Sequence, residues 1–237
     1  MAGHSKWANI KHRKERADKK KGKVFSRLAK EIISAVKQGG ADIKSNAKLR
    51  AVIQKAKSAN LPNDIIERNI KKASSSDQSD YSEVAYDLYG HGGVGIIIQA
   101  MTDNKNRMNS DLRIATNKCG GNLATPGAVG YNFDHKGVIQ VDKSQAIEEE
   151  LFLLTADVGA EDFAIEDNIY IITTKPEDLY SVKEAIDASN TPILSFSLEM
   201  IPKTVIECSK ADQEANQKLF DWIENLDDVD ALYHNMG

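Results

Sequence analysis

Between residues 137 and 200 the hydrophobic period of the chain alternates in one fixed order: strand, helix, strand, strand, helix, strand. Strand-like runs lie at 137–141, 162–166, 169–174 and 193–200, and helix-like runs at 144–158 and 177–188. Ile147, Leu151, Leu154 and Val158 share one face of the first helix, and Thr174 with Glu177 makes a capping-box pattern before the second. Asp134-His-Lys-Gly137 and Asp167-Asn168 carry turn chemistry. The β-α-β-β-α-β order is the ferredoxin-like one, a compact αβ sandwich. Strands at 83–89, 94–101 and 128–133 and a helix at 104–118, closed by Gly120-Gly121, precede it; a helix at 210–226 and a strand at 229–234 follow. The simplest arrangement inserts one αβ domain, residues 135–202, into another, residues 79–134 with 203–237. Pro192 and Pro202 bracket the last strand of the insert and support that boundary.

The chain before residue 79 has a different texture. Val24, Phe25, Leu28, Ala29, Ile32, Ile33 and Val36 form one apolar helical stripe, stopped by Gly39-Gly40. A second helix is expected over 45–59 with Leu49, Val52, Ile53 and Ala56 inward, and Pro62 suits the first turn of a third. Short helices joined by short loops make a small antiparallel bundle. Residues 1–22 have few apolar anchors, so they are expected to be a nascent helix or a mobile arm that orders on a partner. A polar, serine-rich stretch over 73–80 reads as a linker. The expected fold class is therefore α+β in three lobes: a helical domain over 1–78, a discontinuous α/β domain and an inserted ferredoxin-like domain.

Charge divides along the same seam. Residues 1–72 hold 20 Lys plus Arg against 6 Asp plus Glu, a net of +14, whereas residues 73–237 hold 11 against 29, a net of −18. The formal net charge of −4 hides two opposed electrostatic objects. A basic module attracts polyanions through a salt-sensitive force that needs no particular base sequence, and an acidic body is repelled by them. A net of +14 over 72 residues exceeds what solubility requires, and nucleic acid is the partner it fits. The acidic lobes suit basic proteins.

Other chemistry is excluded residue by residue. Gly90-His91-Gly92-Gly93-Val94-Gly95 satisfies G-x-G-x-x-G, but Ile96-Ile97-Ile98 follows where a dinucleotide site needs a helix, so a tight β-turn is expected. His4, His12, His91, His135 and His234 have no metal-ligand spacing with one another or with a cysteine. Cys119 and Cys208 read as reduced thiols. Glu148-Glu149-Glu150 and Glu161-Asp162 read as solvated faces, and Trp222 with Leu219, Ile223 and Leu226 as a core stripe. Tyr170 and Phe196 alone do not make the aromatic platform of an RNA-recognition sheet. No coherent catalytic constellation is present, and no cofactor is expected. No apolar run approaches the roughly 20 residues of a membrane helix. The N-terminus lacks an apolar signal core, so a cytoplasmic location is expected.

Several segments resemble the YebC/PmpR family. They are the opening Met-Ala-Gly-His-Ser-Lys-Trp-Ala-Asn-Ile-Lys-His-Arg-Lys with the later Lys-Gly-Lys-Val-Phe, Met-Thr-Asp-Asn-Lys-Asn-Arg over 101–107, Lys-Cys-Gly-Gly-Asn-Leu over 118–123, and Leu-Asp-Asp-Val-Asp over 226–230. His91 departs from the pattern, which has Pro in that turn. The resemblance implies a three-lobed cytoplasmic regulator of gene expression without catalysis. Two roles are implied: a DNA-binding transcriptional regulator, or a ribosome-associated factor that relieves stalling at stretches such as consecutive prolines.

The expected phosphate contacts are Lys6, Lys11, Arg13, Lys14, Arg16, Lys19, Lys20, Lys21, Lys23 and Arg27, with Lys30, Lys48, Lys55 and Lys57 as secondary candidates. Reversing the charges of Lys19, Lys20 and Lys21 is expected to weaken binding to all nucleic-acid sequences alike and to flatten its salt dependence. Unchanged affinity in a filter-binding assay refutes that assignment.

Overall fold

The computed structural model describes residues 21–74 and 80–237. Among these the chain forms two compact units, one of Gly130–Val205 and one in which the preceding residues run with Ile206–Met236. The architecture is α+β, with two four-stranded sheets.

Among its described residues the second unit opens with three helices, α1 (Lys21–Gly39), α2 (Ala47–Ser58) and α3 (Asn63–Ala73). Leu28, Ile32, Ile33 and Val36 of α1 bury against Leu49, Val52, Ile53 and Ala56 of α2 and Ile66 of α3. Asn46 decides where α2 starts. Its side-chain oxygen accepts from Leu49 N at 2.9 Å, and its amide donates to Ala35 O and Gly40 O, both at 2.8 Å. One buried side chain thus caps α2 and takes up carbonyls left open at the end of α1.

A sheet of order β3-β1-β2-β8 follows, built from β1 (Ser82–Tyr89), β2 (Gly95–Thr102), β3 (Asn122–Leu123) and β8 (Val229–His234). Helices α4 (Lys105–Cys119) and α7 (Lys210–Glu224) pack side by side on it. Met108, Leu112 and Ala115 from α4 and Leu219, Phe220 and Ile223 from α7 share one core with Leu88, Ile96, Ile98 and Leu232. The glycine-rich segment between β1 and β2 is a tight turn with Gly92 at φ 69° and Gly93 at φ 81°, as its sequence implied. Where Pro was expected, the ring nitrogen Nε2 of His91 donates to Cys119 O at 2.8 Å, and the buried amide of Asn216 bridges the His91 main chain.

The unit Gly130–Val205 contains β4 (Phe133–Asp142), α5 (Glu148–Asp157), β5 (Ala160–Glu166), β6 (Ile169–Thr174), α6 (Leu179–Ala188) and β7 (Ile193–Pro202). Its sheet has the order β5-β6-β4-β7, wholly antiparallel, which is the ferredoxin-like topology. Ile139, Val141, Tyr170 and Ile172 meet Leu151, Leu179, Val182 and Ile186 of the two helices.

Three local expectations need correction. The strand at 128–133 and the turn at Asp134-His-Lys-Gly137 are instead a short helical turn (Gly130–Asn132) followed by one unbroken strand. Pairing of Asp134, His135 and Lys136 with Ile201, Met200 and Glu199 overrides their turn propensity. The glycine at 137 serves packing: a Cβ there would strike Thr174 Oγ1 and come within 2.9 Å of Leu179 Cβ. The Thr174–Glu177 capping box does not form; Thr174 Oγ1 donates to Lys175 O at 2.7 Å, and a short turn over Pro176–Asp178 leads into α6. The helix expected over 144–158 starts four residues late, because Asp142 closes a separate turn by accepting from Ser144 N at 2.8 Å. Substituting Gly137→Ala is expected to destabilise the protein by about 1–3 kcal/mol through overpacking, read as a lower urea midpoint at unchanged slope; an unchanged midpoint refutes the packing role.

Candidate nucleic-acid interface

The expected phosphate contacts fall into three groups. Lys6, Lys11, Arg13, Lys14, Arg16, Lys19 and Lys20 lie outside the described residues, and Lys21 is the first residue of α1. Lys48, Lys55 and Lys57 line the exposed side of α2. Lys48 and Lys55, seven residues apart, share one helical face, and Arg50 and Lys57 share another. Lys48 Nζ donates to Gln38 Oε1 at 3.0 Å, and Lys55 Nζ reaches both oxygens of Glu31 at 3.0 Å. Arg68, Lys71 and Lys72 on α3 are exposed as well. Asp64 and Glu67 are the carboxylates of that helix, so the outer surface of α2 and α3 is predominantly cationic.

Lys23, Arg27 and Lys30 form the third group, and the structure spends their charges inside the protein. Lys23 Nζ donates to Glu224 O, the last carbonyl of α7, and at 3.0 Å to Leu226 O just past it. A cation there complements the helix dipole as well as satisfying open carbonyls. Arg27 Nε lies 2.8 Å from Glu31 and 3.8 Å from Asp230. Lys30 Nζ bonds Asp228 Oδ1 at 2.7 Å, Asp227 O at 2.9 Å and Met101 O at 3.3 Å. The other oxygen of Asp228 accepts from Arg107 at 2.6 Å and from Thr102 Oγ1 at 2.8 Å. The same Nη2 of Arg107 also donates to Asp103 at 2.7 Å.

The electrostatics follow this geometry. Burial raises the Asp228 carboxyl, but the hydrogen bonds from Lys30, Arg107 and Thr102 outweigh burial and hold it below the ordinary aspartate value. Asp230 goes the other way: burial dominates, Arg27 offsets only part of it, and its carboxyl is raised. Burial works against the charge of Arg27, yet Asp230 and Glu31 reverse the balance and raise it. Arg107 is raised chiefly by its hydrogen bond to Asp228.

A sequence signal for this junction existed. Residues 23, 27 and 30 lie on one face of a helix, and the only acid-rich segment with matching spacing after α7 is Asp227-Asp228-Val229-Asp230. A second misplacement concerns Trp222. It was expected in the core with Leu219 and Ile223, but it is 36% exposed, with Lys118 Nζ 4.9 Å from its ring centroid. Among the described residues no group of three or more His, Cys, Asp or Glu could hold a metal ion, and no helix is long and apolar enough to cross a membrane.

Asp228→Asn is expected to cost about 2 kcal/mol of stability at pH 7, by weakening two charge-assisted hydrogen bonds. Because the folded carboxyl is depressed, its contribution is present above the unfolded value and lost as pH falls through the folded one. The gap between wild type and variant therefore begins to narrow below about pH 4 and shrinks further as pH falls. Urea melts across pH 3–8 measure it, and a gap independent of pH refutes the assignment.

The comparisons with known proteins agree along the whole chain. Residues 5–76 match the family model described as the TACO1/YebC protein N-terminal domain, and residues 81–236 match the one described as the TACO1/YebC second and third domain. A probable transcriptional regulatory protein of Protochlamydia amoebophila is 62% identical over 236 residues, covering 100% of this chain and 96% of that protein. One from Chlamydia pneumoniae is 56% identical over 238 residues and covers 100% of both. The crystal structure of a conserved hypothetical protein from Aquifex aeolicus superposes with a TM-score of 0.79 at 38% identity, covering 92% of this chain and 90% of that one. With both family models matched and relatives this similar over their full length, the chain belongs to the TACO1/YebC family.

Proposed function

We propose that this chain is a non-enzymatic, cytoplasmic, nucleic-acid-binding regulator of gene expression, that residues 1–78 are its docking module, and that DNA in transcriptional control is its target. The names of its relatives support regulation. The observation that carries nucleic-acid binding is the division of labour among the helices. Lys23, Arg27 and Lys30 of α1 turn inward to the end of α7 and the acidic segment after it, whereas Lys48, Arg50, Lys57, Arg68 and Lys71 face solvent on α2 and α3. Solvated cations that bind no internal carboxylate are the ones available to phosphate. Contacts of this kind give affinity and little base reading.

A second reading, attachment to the ribosome, draws on the insert. Residues 130–205 carry 15 Asp plus Glu against 5 Lys, a net of −10. Naked duplex repels such a lobe, while a ribosome offers basic protein surface beside its RNA.

Lys48→Glu with Lys57→Glu is expected to weaken binding to a 30-base-pair duplex at least tenfold and to lower the slope of log affinity against log salt by about 2. Anisotropy titrations between low and high salt test this, and an unchanged slope refutes the role of α2. Sucrose-gradient sedimentation of lysate separates the readings: salt-sensitive co-migration with ribosomal particles favours translation, and recovery of discrete promoter DNA favours transcription.

A further inference from the structure

Helix α4 is a cationic island in the acidic part of the chain. It holds Lys105, Arg107, Arg113 and Lys118, four of the eleven Lys plus Arg after residue 72, against the single acid Asp111. Its inner face is spent on the core through Met108, Leu112, Ala115 and Thr116. Opposite them, Asn106, Asn109, Ser110, Arg113 and Asn117 form an exposed stripe that contains no carboxylate. Ser110 Oγ donates back to Asn106 O at 3.0 Å. The amides of Asn106, Asn109 and Asn117 and the guanidinium of Arg113 have no partner among the described residues. Asparagine is a poor residue for a helix interior, several tenths of a kcal/mol below alanine at each position. Asn109 bears that cost in the interior of α4 and gives no internal hydrogen bond in return, while Asn106 and Asn117 lie in its first and last turns. Beside the stripe lie Ile114, Lys118 and the half-exposed indole of Trp222 under the Lys118 ammonium.

We infer that the outer stripe of α4, with Trp222 at its flank, is a second nucleic-acid contact, and that it takes a single strand of RNA. Amides donate and accept, and so match base edges and the 2′-hydroxyl; Arg113 matches phosphate or a base plane; the indole offers a stacking face. A duplex fits worse. Helix α7 lies in the same layer, and its exposed Glu214 and Asp221 would meet the phosphates of a broad double helix laid across α4. A single strand is narrow enough to follow the α4 stripe and meet Trp222 with less of α7 beneath it. The inference rests on the nucleic-acid reading proposed above and adds a second class of ligand to it.

The test uses the full chain, a labelled single-stranded 20-nucleotide RNA of mixed sequence, and a duplex DNA of equal length. The variant Asn109→Ala, Arg113→Gln, Asn117→Ala raises helix propensity, so a loss of binding cannot come from a lost helix; circular dichroism checks this. Expected is an RNA affinity about tenfold weaker with duplex binding changed less than twofold. A second readout uses Trp7→Phe, which leaves Trp222 as the only indole: RNA should quench its emission. RNA binding that ignores the α4 variant and leaves Trp222 unquenched overturns this inference while the bundle reading survives, provided Lys48→Glu with Lys57→Glu still weakens binding. Equal losses on RNA and duplex reduce the stripe to a general charge effect and overturn the assignment to a single strand. A wild-type chain that binds neither probe overturns both readings.

Discussion

The carboxylate of Asp228 is the charge on which the arrangement of the helical module depends. Lys30 reaches it from α1, Arg107 from α4 and Thr102 from the end of β2, and its own carbonyl accepts from Met101 N at 2.9 Å. Three elements therefore meet at one side chain. A pair of charges taken out of water is stable only when nearly every lone pair and proton finds a partner. Here Lys30 divides its three protons among a carboxylate and two carbonyls, which is complete satisfaction for an ammonium. The same residue replaced by a neutral one leaves three acceptors open.

This junction changes what the opposed charges of the chain mean. Read as a total, +14 and −18 suggest two objects that ignore each other until a polyanion arrives. Part of each charge is instead used against the other, at Lys23, Arg27 and Lys30 on one side and Asp228, Asp230 and the carbonyls at and just past the end of α7 on the other. The opposite shifts of Asp228 and Asp230 show how unevenly this is done. Asp228 gains enough hydrogen bonds to overcome burial, while Asp230, facing Arg27 at 3.8 Å, does not. The longer contact is the weaker compensation, and Glu31 nearby adds repulsion.

Much of the fold was legible because it rests on period. Ile32 and Val36, or Leu219 and Ile223, are where a helical stripe puts buried residues, and the ferredoxin-like order emerges from six periodic segments. The misreadings occur where two rules compete. Asp134-His-Lys-Gly137 has turn chemistry, but strand pairing and the close approach of Leu179 claim it for β4. Trp222 has core spacing, yet it lies at the margin of its stripe, where Lys118 covers it and water reaches it. The site was less legible than the fold. A lysine left in solvent and one that binds a buried aspartate look alike in sequence, and only the partner's position tells Lys30 from Lys57.

The cost of asparagine in a helix gives α4 its separate argument. Asn104 repays its own cost by capping, accepting from Asn106 N at 3.1 Å and Arg107 N at 3.0 Å. Asn216 of α7 repays its cost by holding the His91 turn from a fully buried position. Both follow the rule that a short amide persists in or beside a helix when it bonds the backbone. Asn109 in the interior of α4, with Asn106 in its first turn and Asn117 in its last, breaks that rule on one exposed face beside Arg113. A solvated surface is served better by Lys, Glu or Gln, which are stronger helix formers and equally soluble. What three asparagines provide that those residues do not is a short, stiff array of paired donors and acceptors held close to the helix axis. The RNA contact inferred above gives that array a use, because such a ligand is rich in both.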